Sequence, residues 1–234
     1  AHFLKYYRAL KALGAPVDFV RDTTRLEAYP VVIVPALQQI SLPMVEKLKA
    51  YVNGGGHLVM TVRSGHQDPN GHLWEAPFAA PTRDLIGADI AFYDLLPSYS
   101  PDSVLFNRKK YGWTSWGEIL KPHNGTDTWA TFTGDFYAGK PAVTHSRLGK
   151  GTVTYVGVDS RSGDLEKEIM LKLYRQLRIP VENFPPGVIV EYRDGFGIAM
   201  NYSDKPFEMT LREQARIITG TRVINPGSLV VWKE

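Results

Sequence analysis

A chain of 234 residues with 44% hydrophobic and 12% aromatic content is globular and long enough for one sizeable core, or for a core plus a small satellite. Its formal net charge of +3 makes no electrostatic case for nucleic acid or an anionic membrane, and zero cysteines exclude disulfides, thiolate metal sites and a Cys nucleophile. No apolar run approaches the ~20 residues of a membrane-spanning helix.

The chain opens with AHFLKYY, already inside a folded pattern, so a piece of something longer is expected. Phe3, Leu4, Tyr7, Leu10 and Leu13 recur at helical spacing and Gly14 stands where a C-cap glycine belongs. Val17 to Val20 reads as a short strand, and Val31 to Val34 as one buried on both faces of a parallel sheet. Ser41 is placed to cap a helix with Pro43 in its first turn and Met44, Val45, Leu48, Tyr51 and Val52 on its inner face. Gly54, Gly55 and Gly56 stop that helix, and His57 to Val62 is the next buried strand. Strand, helix, strand with short links predicts an α/β fold, a doubly wound and mostly parallel sheet. Such a sheet normally begins with a strand ahead of its first helix, so that strand is expected upstream of Ala1, leaving the Val17 and His57 strands short of a neighbour.

After Val62 the pattern loosens. Residues 63 to 84 are polar and proline-punctuated, with a short helix around Arg83 to Ile86. Asp89 to Leu96 and Gly117 to Leu120 are weaker strands, separated by a long polar and aromatic stretch. Ala142 to Ser146 and Thr152 to Val158 flank Leu148-Gly149-Lys150-Gly151, a hairpin turn by composition. Leu165 to Leu177 is the last helix, with Ile169, Met170, Leu173 and Leu177 on one side. Phe184-Pro185-Pro186-Gly187 then marks a change of character. Val188 to Tyr192, Gly197 to Tyr202, Phe207 to Leu211, Arg216 to Ile218 and Leu229 to Trp232 predict a small antiparallel β domain. The division expected is 1–184 and 185–234.

The stretch TVRSGHQDPNG, residues 61 to 71, raises the question of chemistry. A serine nucleophile elbow needs Gly-x-Ser-x-Gly; around Ser64 the flanking positions are Val62 and His66, so the motif fails. Class I glutamine amidotransferases place a Cys in a comparable turn, often with Gly-His-Gln close behind. Gly65-His66-Gln67 echoes that ending, but Arg63 occupies the Cys position and stays protonated. Arg63 is expected to be structural, its fork holding the 64-to-72 loop through carbonyls or Asp68. His66, Asp68 and His72 could approach a metal, against the plainer reading of loop polarity. Gly149-Lys150-Gly151 lacks the rest of a P-loop. Trp113, Trp116 and Trp129 suit either a sugar-stacking or protein-contact surface or aromatic anchors over the sheet edge. Asn124 and Asn201 begin glycosylation sequons at chance level.

In order along the chain, Tyr6-Tyr7-Arg8-Ala9-Leu10, Pro16-Val17-Asp18-Phe19-Val20, Val34-Pro35-Ala36-Leu37, Gly55-Gly56-His57-Leu58-Val59 and Arg63-Ser64-Gly65 resemble the trimerisation domain of family 42 glycoside hydrolases, the β-galactosidases. Phe136-Tyr137-Ala138-Gly139-Lys140-Pro141, Gly149-Lys150-Gly151 and Tyr155-Val156-Gly157 continue the match. Pro186-Gly187-Val188 and Glu191-Tyr192-Arg193 open what resembles the family's C-terminal β domain. Residues 98 to 133 match least, and an insertion is expected there.

The resemblance implies a class I glutamine amidotransferase-like trimerisation domain, then the small β domain, as the non-catalytic assembly and accessory portion of a β-galactosidase. The acid/base and nucleophile carboxylates would lie on a (β/α)₈ barrel of the same parent chain, and neither that repeat nor space for it is present. No catalytic, cofactor or metal residue is therefore carried over. The partners implied are further copies in a homotrimer, the barrel, and through it a terminal β-galactoside; a cytoplasmic location is favoured. Candidate contacts are Phe106, Arg108, Tyr111, Trp113, Trp116, Trp129, Phe136 and Tyr137. A stand-alone small-ligand or carbohydrate-binding module, and an amidotransferase-like enzyme disfavoured by the missing Cys, are the alternatives.

Overall fold

The computed structural model describes residues 2–75, 77–100 and 102–233. In chain order come α1 (His2–Ala12), β1 (Val31–Val34), α2 (Leu42–Asn53), β2 (His57–Thr61), α3 (Arg83–Ile86) and β3 (Ala88–Asp94). Next are β4 (Asp102–Phe106), β5 (Lys109–Pro122), β6 (Asp127–Phe132), β7 (Pro141–Leu148), β8 (Gly151–Val156), β9 (Val158–Ser160) and α4 (Asp164–Gln176). The last six strands are β10 (Val188–Arg193), β11 (Phe196–Asn201), β12 (Phe207–Glu208), β13 (Arg216–Thr219), β14 (Val223–Ile224) and β15 (Leu229–Lys233). By packing, the chain divides into Ala1–Phe3 with Val20–Leu165, and Leu4–Phe19 with Glu166–Glu234. Among the described residues no helix is long and apolar enough to cross a membrane.

The first unit is built on one sheet of order β1-β2-β8-β7-β6-β4-β5-β3, with β9 paired to β5. β1, β2 and β8 run parallel, and the strands beyond them are antiparallel. The α/β layer expected from the chain is there, and its sheet is mixed. In β2, Leu58, Val59 and Met60 are fully buried, which is why the run shows no polar alternation. Ser41 caps α2, its Oγ accepting from the Met44 N–H at 3.3 Å, with a proline in the first turn. Val45, Leu48, Tyr51 and Val52 of α2 pack with Leu58, Met60, Val153 and Tyr155 of the sheet and with Leu85 and Ile86 of α3. Each such side chain contributes about 1.5–3 kcal/mol by leaving water. Tyr51 donates to the Tyr29 carbonyl at 2.9 Å, and burial pushes its phenol up to about 12.

Several expectations are corrected. Val17–Val20 stays irregular: Phe19 and Val20 are exposed, and Phe19 stacks on Tyr7 at 5.7 Å, because β propensity needs a ladder to become a strand. β2, expected to lack a neighbour, has one on each side; β1 is the strand at the end of the order. The polar, aromatic stretch is not loop but β4, β5 and β6. β5 runs 14 residues, its register shifting between Trp113 and Gly117, where Ser115 takes φ 71°. Val104, Phe106, Trp113 and Phe132 are fully or almost fully buried there, and Trp113 meets Phe132 edge-on at 5.5 Å.

The second unit holds the sheet β10-β11-β15-β13 and the pair β12-β14, antiparallel throughout as expected. The strand expected over Phe207–Leu211 is confined to Phe207–Glu208, and its partner β14 is too short to announce itself by alternation. Phe184, Val188, Val190, Ala199, Met209, Ile224, Val230 and Trp232 form its core. Asn201, 1% exposed, pins that core: Nδ2 donates to the Lys205 and Ile224 carbonyls at 2.7 and 2.8 Å, and Oδ1 accepts from the Ser203 N–H at 2.9 Å. Its sequon is thereby closed to modification. Gly14 has φ 70°, as a C-cap glycine must, and Lys11 of α1 pairs with Glu191 at 2.7 Å while donating to the Ala15 carbonyl.

Candidate functional site

Thr61 ends β2, and the chain turns sharply through Val62, Arg63, Ser64 and Gly65. Arg63 and Gly65 both take positive φ, 66° and 78°. A Cβ on Gly65 would stand 2.7 Å from Thr82 Cγ2, so the position needs glycine for both space and conformation. Two neighbouring segments lock the turn. Val62 N–H donates to Val156, Gly65 N–H to Leu37, and the facing loop is tied back by Ile40 to Gln67 and Gln67 to Gln38. Ser64, the residue a nucleophile search selects, is fully buried, and its Oγ accepts from the Leu37 N–H at 3.2 Å. It positions the turn and has no path to a substrate.

Beneath the turn lies Glu118 of β5, fully buried. Its Oε1 accepts from the Arg63 N–H at 2.8 Å and from Trp116 Nε1 at 2.9 Å, and its Oε2 accepts from the Tyr155 hydroxyl at 2.5 Å. His66 Nε2 stands 2.9 Å from Oε1, at ion-pair distance but off hydrogen-bond geometry. One carboxylate thus gathers donors from the turn, from β5 and from β8. Sequence spacing could not reveal this hub, since its donors lie up to 55 residues from Glu118 along the chain.

Arg63 does not reach Asp68 as expected. Its Nη2 donates to Gln38 Oε1 at 3.0 Å, and its guanidinium lies 4.8 Å from the Trp116 ring. Trp116 stacks on Tyr93 at 4.4 Å, Phe78 meets Tyr93 edge-on at 5.5 Å, and His66 lies against Phe78 at 6.1 Å. The three candidate metal ligands separate: His66 goes to Glu118, whereas Asp68 closes its own loop, accepting from Asn70 and His72 N–H groups at 2.8 and 2.9 Å. Desolvation works to raise the Asp68 carboxyl, but those donors and the His72 ring outweigh it and hold it below the ordinary range. Among the described residues no three His, Asp or Glu side chains converge as a metal site.

The aromatic contact candidates divide as well. Phe106, Tyr111, Trp113, Trp129 and Tyr137 are buried, with Trp129 stacked on His145 at 4.3 Å. They are core, not contact surface. Phe136 (78% exposed) and Arg108 remain on the outside, and Trp116 is half-buried.

The Arg63 conformation carries a measurable consequence. A non-glycine residue in the left-handed region costs about 1–2 kcal/mol. Arg63→Gly loses the Gln38 and Trp116 contacts but releases that strain, whereas Arg63→Ala loses the contacts and keeps the strain. The glycine variant should melt about 2–4 °C above the alanine variant for each kcal/mol released. Equal melting temperatures would remove the strain from the account.

Comparison with known proteins places this geometry. The model of the β-galactosidase trimerisation domain matches residues 1–182. The β-galactosidase BgaH of Haloferax lucentense is 30% identical over 225 residues, covering 96% of this chain and 34% of that protein. BgaB of a Geobacillus species is 32% identical over 210 residues, or 88% of this chain and 31% of its own. Among solved structures, a catalytic mutant of Gan42B, a GH42 β-galactosidase from G. stearothermophilus, superposes with a TM-score of 0.90 at 23% identity over 100% of this chain and 36% of that one. The β-galactosidase of the Antarctic haloarchaeon Halorubrum lacusprofundi gives 0.88 at 25% identity, over 98% and 35%. The chain spans about a third of the length of the relatives it matches. By the family-model match over most of its residues, this chain belongs to the β-galactosidase trimerisation domain family.

Proposed function

We propose that the chain is a non-catalytic oligomerisation and accessory portion of a β-galactosidase, assembling copies into a homotrimer while a barrel elsewhere in the parent hydrolyses terminal β-galactosides. The family-model match over residues 1–182, with relatives about three times as long, carries this reading. The buried Ser64 and the arginine at position 63 weigh against the amidotransferase-type alternative. We divide the chain in sequence order at 184/185; the end of the family match at 182 supports that division, although Leu4–Phe19 packs with the later residues.

Sedimentation velocity across micromolar concentrations tests the assembly. A species of three times the monomer mass, weakened by Phe136→Glu at an exposed ring stacked on Phe92, is the expected result. Monomer alone at high micromolar concentration counts against self-assembly of this chain. No turnover of a chromogenic galactoside is expected from the purified chain; robust turnover would overturn the non-catalytic assignment.

A further inference from the structure

The chain contains three Asn-Gly pairs, at 53–54, 70–71 and 124–125. All three asparagines are exposed, so access alone does not separate them. Their backbones do. At the end of α2 the Gly54 N–H donates to the Ala50 carbonyl at 3.0 Å, and a Cβ on Gly149 would meet Asn53 Oδ1 at 2.5 Å, so that side chain is crowded. In the next loop the Gly71 N–H donates to the Asp68 carbonyl at 3.0 Å, and the Asn70 N–H donates to Asp68 Oδ1 at 2.8 Å. The third pair lies between β5 and β6. There the Thr126 N–H donates to the His123 carbonyl at 3.1 Å, Gly125 takes φ 82°, and Asn124 keeps a negative φ. That is a type II turn, whose third residue favours glycine. Neither the Gly125 N–H nor the Asn124 side chain hydrogen-bonds to any described residue, and a Cβ on Gly125 would have nothing within 4 Å.

We propose that Asn124 is a self-modification site, converting to aspartate and isoaspartate in the folded chain ahead of Asn53 and Asn70. The Gly125 nitrogen, its proton lost to base, attacks Asn124 Cγ. The new C–N bond closes a succinimide ring, and the side-chain nitrogen leaves as ammonia, taking a proton from solvent. Water then adds to either ring carbonyl. Breaking one C–N bond leaves aspartate; breaking the other leaves isoaspartate, with the backbone routed through the former side chain. One water is consumed and one ammonia released, and nothing is oxidised or reduced. Glycine favours the attack because it has no side chain to obstruct it and its backbone turns freely. The attacking nitrogen must also be free of a hydrogen bond, and of the three glycines only Gly125 meets that condition. Each event adds a negative charge to a chain whose formal net charge is +3. The inference stands apart from the assembly role, since nothing in it depends on oligomeric state.

The test is peptide mapping by mass spectrometry of the 234-residue chain, held at mildly alkaline pH below its melting temperature. A parallel sample unfolded in guanidinium chloride sets the time scale. In the folded chain Asn124 should convert at least about fivefold faster than Asn53 or Asn70, since either of those must first break a hydrogen bond. Unfolded, the three should converge. Asn124→Gln should remove the early isoaspartate from the folded chain, read independently by an isoaspartate-specific carboxyl methyltransferase with labelled S-adenosylmethionine. Asn53 or Asn70 converting as fast as Asn124 in the folded chain overturns the proposal. So does an Asn124 still intact there when the unfolded sample is fully converted. A lead for Asn124 as large in guanidinium as in the folded chain also overturns it, because the cause would then be sequence alone.

Discussion

Glu118→Leu should lower the melting temperature of the first unit by about 6–20 °C, corresponding to 3–5 kcal/mol at about 2–4 °C per kcal/mol for a protein of this size. Leucine approximates the glutamate in volume, so little of the loss comes from a cavity. The loss comes from the partners left behind: the Arg63 N–H, the Trp116 indole N–H and the Tyr155 hydroxyl all donate to this one carboxylate. A buried donor deprived of its acceptor costs about 1–3 kcal/mol, and three deprived together share some relaxation, which is why the sum is not threefold. Glu118→Gln keeps an acceptor oxygen and the same shape, and should recover more than half of the loss. Thermal melts of both variants, with near-ultraviolet circular dichroism reporting the Trp116–Tyr93 stack, test this. A Glu118→Leu protein melting within about 2 °C of the unmutated chain, less than 1 kcal/mol, would show that the turn does not depend on its carboxylate.

Trp232→Ala should collapse the second unit's core by a comparable amount, about 3–5 kcal/mol for removing a buried tryptophan. Trp232 is 1% exposed and meets Tyr192 edge-on at 5.8 Å. It lies over Gly197, where a Cβ would run into the indole ring, so the strand has been thinned to admit the side chain. Truncation leaves a void bordered by that glycine, with no neighbouring side chain able to refill it. Amide exchange reads the effect locally. Protection in β10, β11 and β15 should fall by about two to three and a half orders of magnitude, the equivalent of 3–5 kcal/mol at about 1.4 kcal/mol per factor of ten. Protection unchanged within about threefold, under 1 kcal/mol, would mean that Trp232 is not what holds this sheet together.

The features legible along the chain are those whose cause is local or periodic. The α2 helix carries its own cap at Ser41, its proline and its inner face, all within 12 residues, and folds as that pattern predicts. The unbroken apolar run of β2, the glycine hairpin between β7 and β8, and the turn-punctuated C-terminal strands are legible for the same reason; β1 also forms, but at the sheet's end with only Val32 buried rather than covered on both faces. The failed serine motif is legible too, because a nucleophile elbow is a short-range demand on residue size.

Only tertiary structure decided the rest. Val17–Val20 has the composition of a strand, yet strand formation depends on a ladder that no local signal reports. Lys109 to Pro122 has the glycines and lysines of a loop but becomes the longest strand, because Tyr111 and Trp113 on alternate positions find a buried face to fill. The same burial turns most of the aromatic contact candidates into core. Nearness in sequence suggests that Arg63 grips Asp68; it lies instead over Trp116, which the fold brings from 53 positions away. Along the sequence Glu118 is one acid among many. Its role arises from donors on three separate segments converging in a space without water, a property of the folded chain that spacing along the sequence cannot encode.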